Sequence, residues 1–155
     1  MKQSSLFEKL SSRRPLAIRA NIDGGARGNP GPAACAVVVR NEKGEVIAEW
    51  GEYLGVQTNN VAEYSGLLAA LDYATREKYT SLEVLSDSEL LVRQMRGQYK
   101  VKNLDLKELF DRAQALVRKL EYFRIEHVPR ASNRQADRLV NKVLDSRKAS
   151  SPESP

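Results

Sequence analysis

The stretch LAIRANIDGGARGNPGPAACAVVVR (16–40) decides how the rest of the chain folds. Its first part, LAIRANID (16–23), predicts a strand that runs into a glycine-rich turn, GGARGNPGP (24–32). The segment AACAVVVR (33–40) is a second apolar strand, and EVIAEWGEYL (45–54) is a third strand after the turn NEKG. Three strands joined by short turns predict an antiparallel meander.

Strands and helices alternate after the meander. The segment NNVAEYSGLLAALDYATREK (59–78) has helical apolar spacing, with Asn59 or Asn60 as its cap and Glu63 in its first turn. The remaining predicted elements are a strand SLEVLSD (81–87), a short helix through Leu90, Leu91 and Met95, an amphipathic helix from Leu106 to Leu120, a strand EYFRIEHV (121–128) and a last helix SNRQADRLVNKVL (132–144) capped by Ser132 or Asn133. This order predicts an α/β fold with a five-stranded mixed sheet, an antiparallel meander plus parallel strands, flanked by helices.

The length of 155 residues suits one domain with a single core. We expect residues 1–14 to form a flexible polar tail, residues 15–146 to form the domain and residues 147–155 to form a disordered tail. Trp50, Tyr53 and Cys35 lie within strands and are expected in the core. Cys35 is the only cysteine, and the sequence has neither a membrane-length apolar run nor a recognisable secretory signal, so we expect a cytoplasmic protein.

The chain is moderately basic. It has 25 Lys and Arg against 20 Asp and Glu, a formal net charge of +5. A basic surface suits a polyanionic partner such as nucleic acid, although a charge of this size also serves solubility alone.

Four carboxylates stand where predicted elements begin or end: Asp23, Glu63, Asp87 and Asp137. The first strand and SLEVLSD can lie side by side, which would bring Asp23 and Asp87 to one edge of the sheet. Clustered like charges raise one another's pKa values, and bound cations remove that penalty. Oxygen ligands without a cysteine cluster favour Mg²⁺ or Mn²⁺ over zinc.

Each carboxylate also has a purely structural interpretation. Asp23 can be a turn residue before two glycines, Glu63 a capping-box partner, Asp87 a helix cap and Asp137 a solvated helix position. For any one carboxylate alone, the structural interpretation is stronger than the metal-binding one. The sequences around the carboxylates therefore decide between these two interpretations.

Those surrounding sequences resemble ribonuclease H of type 1. The similarity rests on DGGARGNPGPAACAVVV, TNNVAEYSGLLAAL, VLSDSELLV and the closing NRQADRLVN, and it spans about residues 16–146 in the family's order. The resemblance implies an endonuclease that hydrolyses the RNA strand of RNA/DNA hybrids with two metal ions, leaving 5′-phosphate and 3′-hydroxyl ends.

Residue roles follow from the resemblance, position by position. Asp23, Glu63, Asp87 and Asp137 would be catalytic and would bind the metal ions, with Asp23 bridging both. Asn29 and Asn59 resemble minor-groove contacts, and Thr58 and Asn60 resemble ligands of a DNA-strand phosphate. The backbone near Gly24, Gly25 and Ala26, together with Glu63, lies where the family recognises the 2′-hydroxyl of RNA. Thr58, Asn59 and Asn60 can alternatively form a plain helix cap, and Asn29 a turn before Pro30.

The sequence departs from the family in three places. Many relatives have a loop histidine before the last carboxylate, but here the connection is PRASNRQAD and the only histidine, His127, is expected to be structural. Arg130 or Arg134 are the candidate electrostatic substitutes. Glu89 stands where relatives often have glutamine. The long basic protrusion of many relatives is reduced to RQMRGQYKVKNLDL (93–106), in which Arg96 and Lys100 either contact the DNA strand or are merely solvated.

Two alternatives to a hybrid nuclease remain. One is a binding module of this fold that does not cut, and the other is a nuclease for a different substrate such as double-stranded RNA. A separate hypothesis concerns the N-terminus, where Gln3, Leu6 and Phe7 resemble the short peptide that docks on bacterial sliding clamps. We expect a monomer with no membrane partner.

Overall fold

The computed structural model describes residues 16–150, with side chains described for residues 16–147. Within that range the chain forms one five-stranded sheet in the order β3-β2-β1-β4-β5. Strands β1, β2 and β3 are antiparallel, whereas β4 runs parallel to β1 and β5 parallel to β4. The strands are β1 (Ala17–Ala26), β2 (Gly31–Arg40), β3 (Val46–Gln57), β4 (Ser81–Ser86) and β5 (Tyr122–His127). The predicted mixed sheet is confirmed.

Helices cover the two faces of the sheet unequally. They are α1 (Asn59–Arg76), α2 (Glu89–Met95), α3 (Leu104–Val117) and α4 (Arg134–Ser150), with a short 3-10 turn at Arg130–Asn133. Helices α1 and α3 pack together over the main core on one face. Helix α4 lies on the opposite face, mainly against β2 and β3.

Strand β2 is buried on both faces because it lies between these two helical layers. Val37 and Val39 point into the main core, whereas Ala34 and Ala36 point at α4. The alternation of large and small side chains follows the period of two in a strand, and the alanines let α4 approach closely. The prediction that Cys35 is buried is confirmed, since it is 1% exposed.

Two predicted core aromatics are only partly buried. Trp50 packs against the main core with its ring 5.4 Å from that of Tyr73. Tyr53 packs against α4 at the other face, where the Arg147 guanidinium lies 4.2 Å from the centre of its ring. This contact lies beyond the predicted domain end at residue 146, and α4 continues to Ser150. Helix α4 thus continues four residues past the predicted domain end, and the predicted tail stays a prediction.

The first strand is also longer than predicted. Gly24, Gly25 and Ala26 continue β1 beyond Asp23 and pair with Cys35, Ala34 and Ala33 of β2. Two successive glycines are typical of a turn, but here the long partner strand supplies backbone hydrogen bonds that extend the pairing. The turn begins only at residue 27.

The start of α1 differs from the prediction by one residue, which moves Glu63. The cap is Thr58, whose extended backbone precedes the helix and whose Oγ1 accepts a hydrogen bond from the Val61 amide at 3.2 Å. Asn59 does not cap the helix, because its side chain accepts a hydrogen bond from the Ala26 amide instead. Glu63 consequently lies in the second turn of α1, not the first, and is not a capping-box partner.

Residues 1–15 and 151–155 lie outside the described part of the chain. The predicted tail at residues 1–14 and the clamp-binding peptide with Gln3, Leu6 and Phe7 therefore stay predictions. Within the described residues, no helix is both long enough and apolar enough to cross a bilayer.

Candidate active site

The parallel pairing of β1 and β4 brings two carboxylates together. Ile22 of β1 is the register partner of Ser86 of β4. Asp23 and Asp87 each follow by one residue, so they lie side by side where β4 ends, while β1 continues for three residues along β2. This is the edge at which parallel strands of α/β proteins present ligand-binding residues.

Glu63 reaches the same edge because α1 packs unusually close to β1. A Cβ atom added to Gly24 would lie 2.2 Å from the Ala62 carbonyl oxygen and 2.6 Å from the Glu63 amide nitrogen. A Cβ atom on Gly66 of the helix would lie 3.1 Å from the Asp23 carbonyl oxygen. Glycine at both positions thus permits backbone contact between strand and helix, which places Glu63 beside Asp23.

Asp137 comes from the first turn of α4, and a buried amide anchors the start of that helix. Asn133 is 1% exposed, and its Nδ2 donates to the Ile22 carbonyl oxygen at 2.8 Å. Its Oδ1 accepts a hydrogen bond from Asn21 at 3.0 Å, and Arg40 donates to Asn21 at 3.2 Å. Because Asn133 uses its carboxamide on β1, its side chain is not the cap of α4, although Asn133 was one of the two predicted candidates with Ser132. Its contacts fix Asp137 relative to Asp23.

The four carboxylates repel one another. Burial, followed by the charges of Asp87 and Asp137, raises the pKa of Asp23 from its usual 3.8 to about 8, against the opposing hydrogen bond from the Gly24 amide. Burial and the charge of Asp87 raise the pKa of Glu63 to about 7, although the Ser88 hydroxyl donates to this carboxylate and opposes the shift. Both groups are therefore partly protonated near neutral pH unless a cation compensates the charge.

The types of side chain at this edge suit a hard cation. All four candidate ligands are carboxylates, the ligand type that Mg²⁺ and Mn²⁺ prefer. Among residues 16–147, no three His, Cys, Asp or Glu side chains converge closely enough to hold one ion by themselves. Asp23 and Asp137 are nevertheless close enough to hydrogen-bond, and a bound cation would offset the charge repulsion among the carboxylates, so the donor set fits a divalent ion.

The carboxylates line a single cleft of about 440 Å³. Two arginines from different elements, Arg27 and Arg130, also line it, whereas the exposed Arg134 does not. The other residues of the cleft wall are Gly24, Gly25, Ala26, Asn59, Val140, Asn141 and Leu144. Positive groups at the rim of an acidic cleft are suited to hold a phosphate near bound cations.

The two predicted minor-groove residues, Asn29 and Asn59, make hydrogen bonds within the protein. Asn29 Oδ1 accepts a hydrogen bond from the Asn59 amide at 3.0 Å, and Asn59 Oδ1 accepts one from the Ala26 amide at 2.8 Å. In both carboxamides the hydrogen bond uses the oxygen, and neither NH₂ group has a partner within residues 16–147. Ala26 cannot offer its own amide to a substrate without losing this contact. Around Gly25, in contrast, an added Cβ would meet nothing within 4 Å.

The shortened basic segment is partly tied to the domain. Arg96 Nε donates to the Ile125 carbonyl oxygen at 3.0 Å, while Lys100 is exposed. Glu89, the residue that replaces glutamine, pairs with Arg93 at 3.0 Å one helical turn later. A carboxylate at this position would repel a phosphate, and the ion pair with Arg93 partly offsets that charge.

His127 was expected to be structural, and the structure places it at the exposed end of β5. It lines a separate hollow of about 180 Å³ with Glu89, Arg93 and Arg96, not the carboxylate cleft. The position within a strand is confirmed, but the side chain is not part of the core.

The sequence did not reveal several contacts that surround the carboxylates. Ser88 donates to Glu63, Asn133 anchors α4, and Arg27 contacts α4 from the loop after β1. Ser88 and Asn133 lie next to, or four residues before, a predicted carboxylate, and that proximity was the available signal. Nothing in the sequence around Arg27 indicates its contact with α4.

The chain is similar over most of its length to ribonucleases H. A family model described as "Reverse transcriptase-like" matches residues 21–143. A Mycobacterium tuberculosis protein described as bifunctional is 48% identical over 131 residues, which cover 84% of this chain and 36% of that protein. The ribonuclease HI of Halobacterium salinarum is 41% identical, over 83% of this chain and 64% of that protein. The chain thus spans about a third of the mycobacterial relative.

Solved structures extend the similarity to three dimensions. RNase H1 from the archaeon Halobacterium salinarum superposes with a TM-score of 0.82 at 40% identity, covering 84% of this chain and 98% of that one. LC11-RNase H1, crystallised in complex with an RNA/DNA hybrid, superposes with a TM-score of 0.79 at 43% identity, covering 83% of this chain and 97% of that one.

Proposed function

This chain belongs to the ribonuclease H type 1 family, and on that premise we propose that it is a metal-dependent endonuclease that hydrolyses the RNA strand of RNA/DNA hybrids. The observation that carries the proposal is the convergence of Asp23, Glu63, Asp87 and Asp137, from four different elements, on one cleft. A binding module has no use for four carboxylates that repel one another. The hybrid bound by LC11-RNase H1 supports the choice of substrate.

Asp23 is the proposed bridging ligand of two ions, Mg²⁺ or Mn²⁺. Its carboxylate is close enough to interact with both Asp87 and Asp137, which supports a shared role for it. Asp137 would help to hold the ion that activates water, and Glu63 and Asp87 would hold the ion that stabilises the leaving oxygen. When bound, such ions lower the pKa of a water molecule and stabilise negative charge on the phosphodiester. The chain's own contribution is to hold these carboxylates on rigid elements and to orient Glu63 through Ser88.

Recognition of the RNA strand is assigned to the wall of the cleft beside β1. The backbone at Gly24 and Gly25 is open to the cleft, and Glu63 provides a carboxylate that can accept a hydrogen bond from a 2′-hydroxyl. The unpartnered NH₂ groups of Asn29 and Asn59 are donors suited to base edges in the minor groove. Because Asn29 and Asn59 are hydrogen-bonded to one another, they would act as one rigid unit.

Thr58 and Asn60 are assigned to a phosphate of the DNA strand, and Arg96 and Lys100 to its backbone further away. Thr58 presents its hydroxyl at the start of α1, where backbone amides add to an anion site. Arg130 replaces the loop histidine electrostatically, since it lines the cleft and Arg134 does not. We further propose that the protein acts as a monomer in the cytoplasm.

The deciding experiment compares labelled RNA/DNA hybrid, double-stranded RNA and double-stranded DNA, each with Mg²⁺ and with EDTA. We expect cleavage of the RNA in the hybrid alone, only with Mg²⁺, and with 5′-phosphate ends. Binding of the hybrid without cleavage under any metal would favour the binding module, and cleavage of double-stranded RNA would favour the other nuclease.

A further inference from the structure

Arg27 belongs to the loop after β1, but its side chain contacts α4. Its Nη2 pairs with Asp145 Oδ1 at 2.7 Å and donates to Asn141 Oδ1 at 3.3 Å. Asn141 Nδ2 in turn approaches Asp137, at 3.1 Å from the carbonyl oxygen and 3.5 Å from the carboxylate Oδ2. A line of contacts thus runs from a cation through an amide to one of the four carboxylates, and Arg27, Asn141 and Asp137 all line the cleft.

Chemistry alone determines which way the Asn141 amide faces. A guanidinium can only donate hydrogen bonds, so the side facing Arg27 must be the oxygen. A carbonyl and an ionised carboxylate can only accept them, so the side facing Asp137 must be the NH₂ group. The two requirements agree, and neither would hold if the amide were turned over. Arg27 therefore favours the one orientation of Asn141 in which its NH₂ group is directed at Asp137.

We infer that Arg27 and Asn141 are positioning residues for Asp137, which fix the orientation of its carboxylate so that the other oxygen is presented to a divalent cation. This inference rests on the proposed function, because it assumes that Asp137 is a metal ligand. Partners that hydrogen-bond a metal-binding carboxylate reduce its freedom to rotate and so prepare the site for the ion. Arg27 acts through Asn141, and Asp145 only keeps the guanidinium against α4.

Two other roles for Arg27 give different experimental results. As an arginine at the cleft rim it could bind a substrate phosphate directly, in which case its loss would weaken hybrid binding and leave metal affinity unchanged. As an exposed ion pair with Asp145 it could have no role at the site, in which case neither quantity would change.

The test uses the full chain and measures Mn²⁺ affinity by calorimetry without substrate, and hybrid affinity in EDTA. Asn141→Ala should raise the Kd for Mn²⁺ about tenfold, the usual size for losing a partner of a metal ligand. Arg27→Met should raise it severalfold, and Arg27→Lys less, since a lysine can still donate to Asn141. The double variant should be no worse than Asn141→Ala alone, because the two residues act in series. Lys142→Ala, an exposed neighbour on α4, is the matched control and should match the wild type.

Additive effects of Arg27→Met and Asn141→Ala, or an unchanged Kd for Mn²⁺ in Asn141→Ala, would overturn the inference. So would weaker hybrid binding in EDTA by Arg27→Met alone. The proposed function is tested separately by Asp23→Asn: if that variant still binds Mn²⁺ and cleaves like the wild type, the metal site itself is wrong. If Asp23→Asn loses Mn²⁺ binding and cleavage while Asn141→Ala keeps both activities, only the positioning roles are wrong.

Discussion

Two groups of charged side chains share one face of the parallel strands, and they are neutralised differently. Near the start of β1 and β4, Glu83 is paired with Arg19 at 2.6 Å and lies 3.7 Å from Arg124. Four residues further along each strand, Asp23 and Asp87 lie side by side with no arginine or lysine paired to them within residues 16–147. Asn21, between the two groups on β1, is a neutral residue tied to Asn133.

The difference shows where the fold tolerates unfavourable electrostatics. Glu83 could be neutralised by neighbouring arginines because the sheet face there is open, with α4 lying over β2 and β3 instead. At the carboxylate edge the same chain brings in Glu63 and Asp137 as further negative charges, and burial raises the pKa of Asp23. Uncompensated clustering of this kind is typical of functional sites. The paired group near the strand starts, which we call the arginine ladder (Arg19, Glu83, Arg124, Glu126), is the internal reference.

The largest expected effect is on catalysis. Asp23→Asn removes the charge that interacts with both Asp87 and Asp137, and an amide cannot offset the charge of two ions. Cleavage of the hybrid should fall by about 10³-fold or more, as in losing a principal electrostatic stabiliser of a transition state. Circular dichroism should show an unchanged fold. Turnover close to that of the wild type would show that the Asp23 carboxylate is no more important for cleavage than the arginine ladder.

The second effect concerns stability as a function of pH without metal. The folded protein raises the pKa of Asp23 to about 8 and that of Glu63 to about 7, so it binds protons more tightly than the unfolded chain does. The stabilisation that comes from protonated Asp23 and Glu63 is fully present below about pH 4. It is lost as the pH rises through about 7 and 8. In EDTA, the free energy of unfolding from urea titrations should fall by a few kcal/mol over this range, on the order set by such shifts.

The same titrations separate the role of the carboxylates from a general pH effect. Asp23→Asn should flatten the decline, and Mg²⁺ should restore stability at about pH 8, because the ion binds the folded state. A stability that rises between about pH 5 and 8 in EDTA would contradict the charge crowding described for this edge.

The third effect compares two adjacent glycines. Gly24→Ala would place a methyl group 2.2 Å from the Ala62 carbonyl oxygen, so α1 must shift and carry Glu63 with it. We expect a loss of about 1–3 kcal/mol in stability, the usual cost of overpacking, and a large loss of cleavage. Gly25→Ala meets no protein atom, so its stability should be unchanged and its effect should appear as a higher KM. Equal behaviour of the two variants in thermal unfolding would contradict the close packing of α1 on β1.

Much of this arrangement could be predicted from the sequence, and the exceptions have physical causes. The meeting of Asp23 and Asp87 could be predicted from the parallel pairing of their strands, and the family resemblance of the surrounding motifs implied that Glu63 and Asp137 join them. The extension of β1 through Gly24 and Gly25 could not, because a glycine pair is typical of a turn and only the length of β2 decides the pairing. The cap of α1 was ambiguous because Thr58, Asn59 and Asn60 are all good capping residues.

Contacts between distant parts of the chain were beyond prediction for a different reason. Arg27 and Asn141 are separated by 114 positions and meet only after α4 packs on the sheet. The choice between Arg130 and Arg134 likewise depends on the 3-10 turn, which directs Arg130 towards the cleft. A sequence indicates the residue types near a motif, whereas the orientation of each side chain depends on the packed elements.

The fourth prediction uses that choice between two arginines. Arg130→Gln should lower kcat roughly tenfold, the size expected for losing a charged hydrogen bond to a phosphate. Arg134→Gln, with the same charge change four residues away, should leave kcat within about twofold, since an exposed charge outside the cleft contributes little. The two variants are compared at saturating hybrid and Mg²⁺. A larger loss from Arg134→Gln would mean that the phosphate lies on the other side of the 3-10 turn.

The smallest effect is expected in the arginine ladder. Glu83→Gln makes the same kind of change as Asp23→Asn, a carboxylate replaced by its amide on the same face of the sheet. Because the side chains of Arg19 and Arg124 are more than half exposed, water solvates them when Glu83 loses its charge. Stability should fall by less than about 1 kcal/mol, with no change in cleavage. The two amide variants should thus change the free energy of unfolding in opposite directions, since Asp23→Asn should stabilise the metal-free protein at about pH 8. Stabilisation by Glu83→Gln would show that the ladder is strained as well, and the contrast between the two groups would fail.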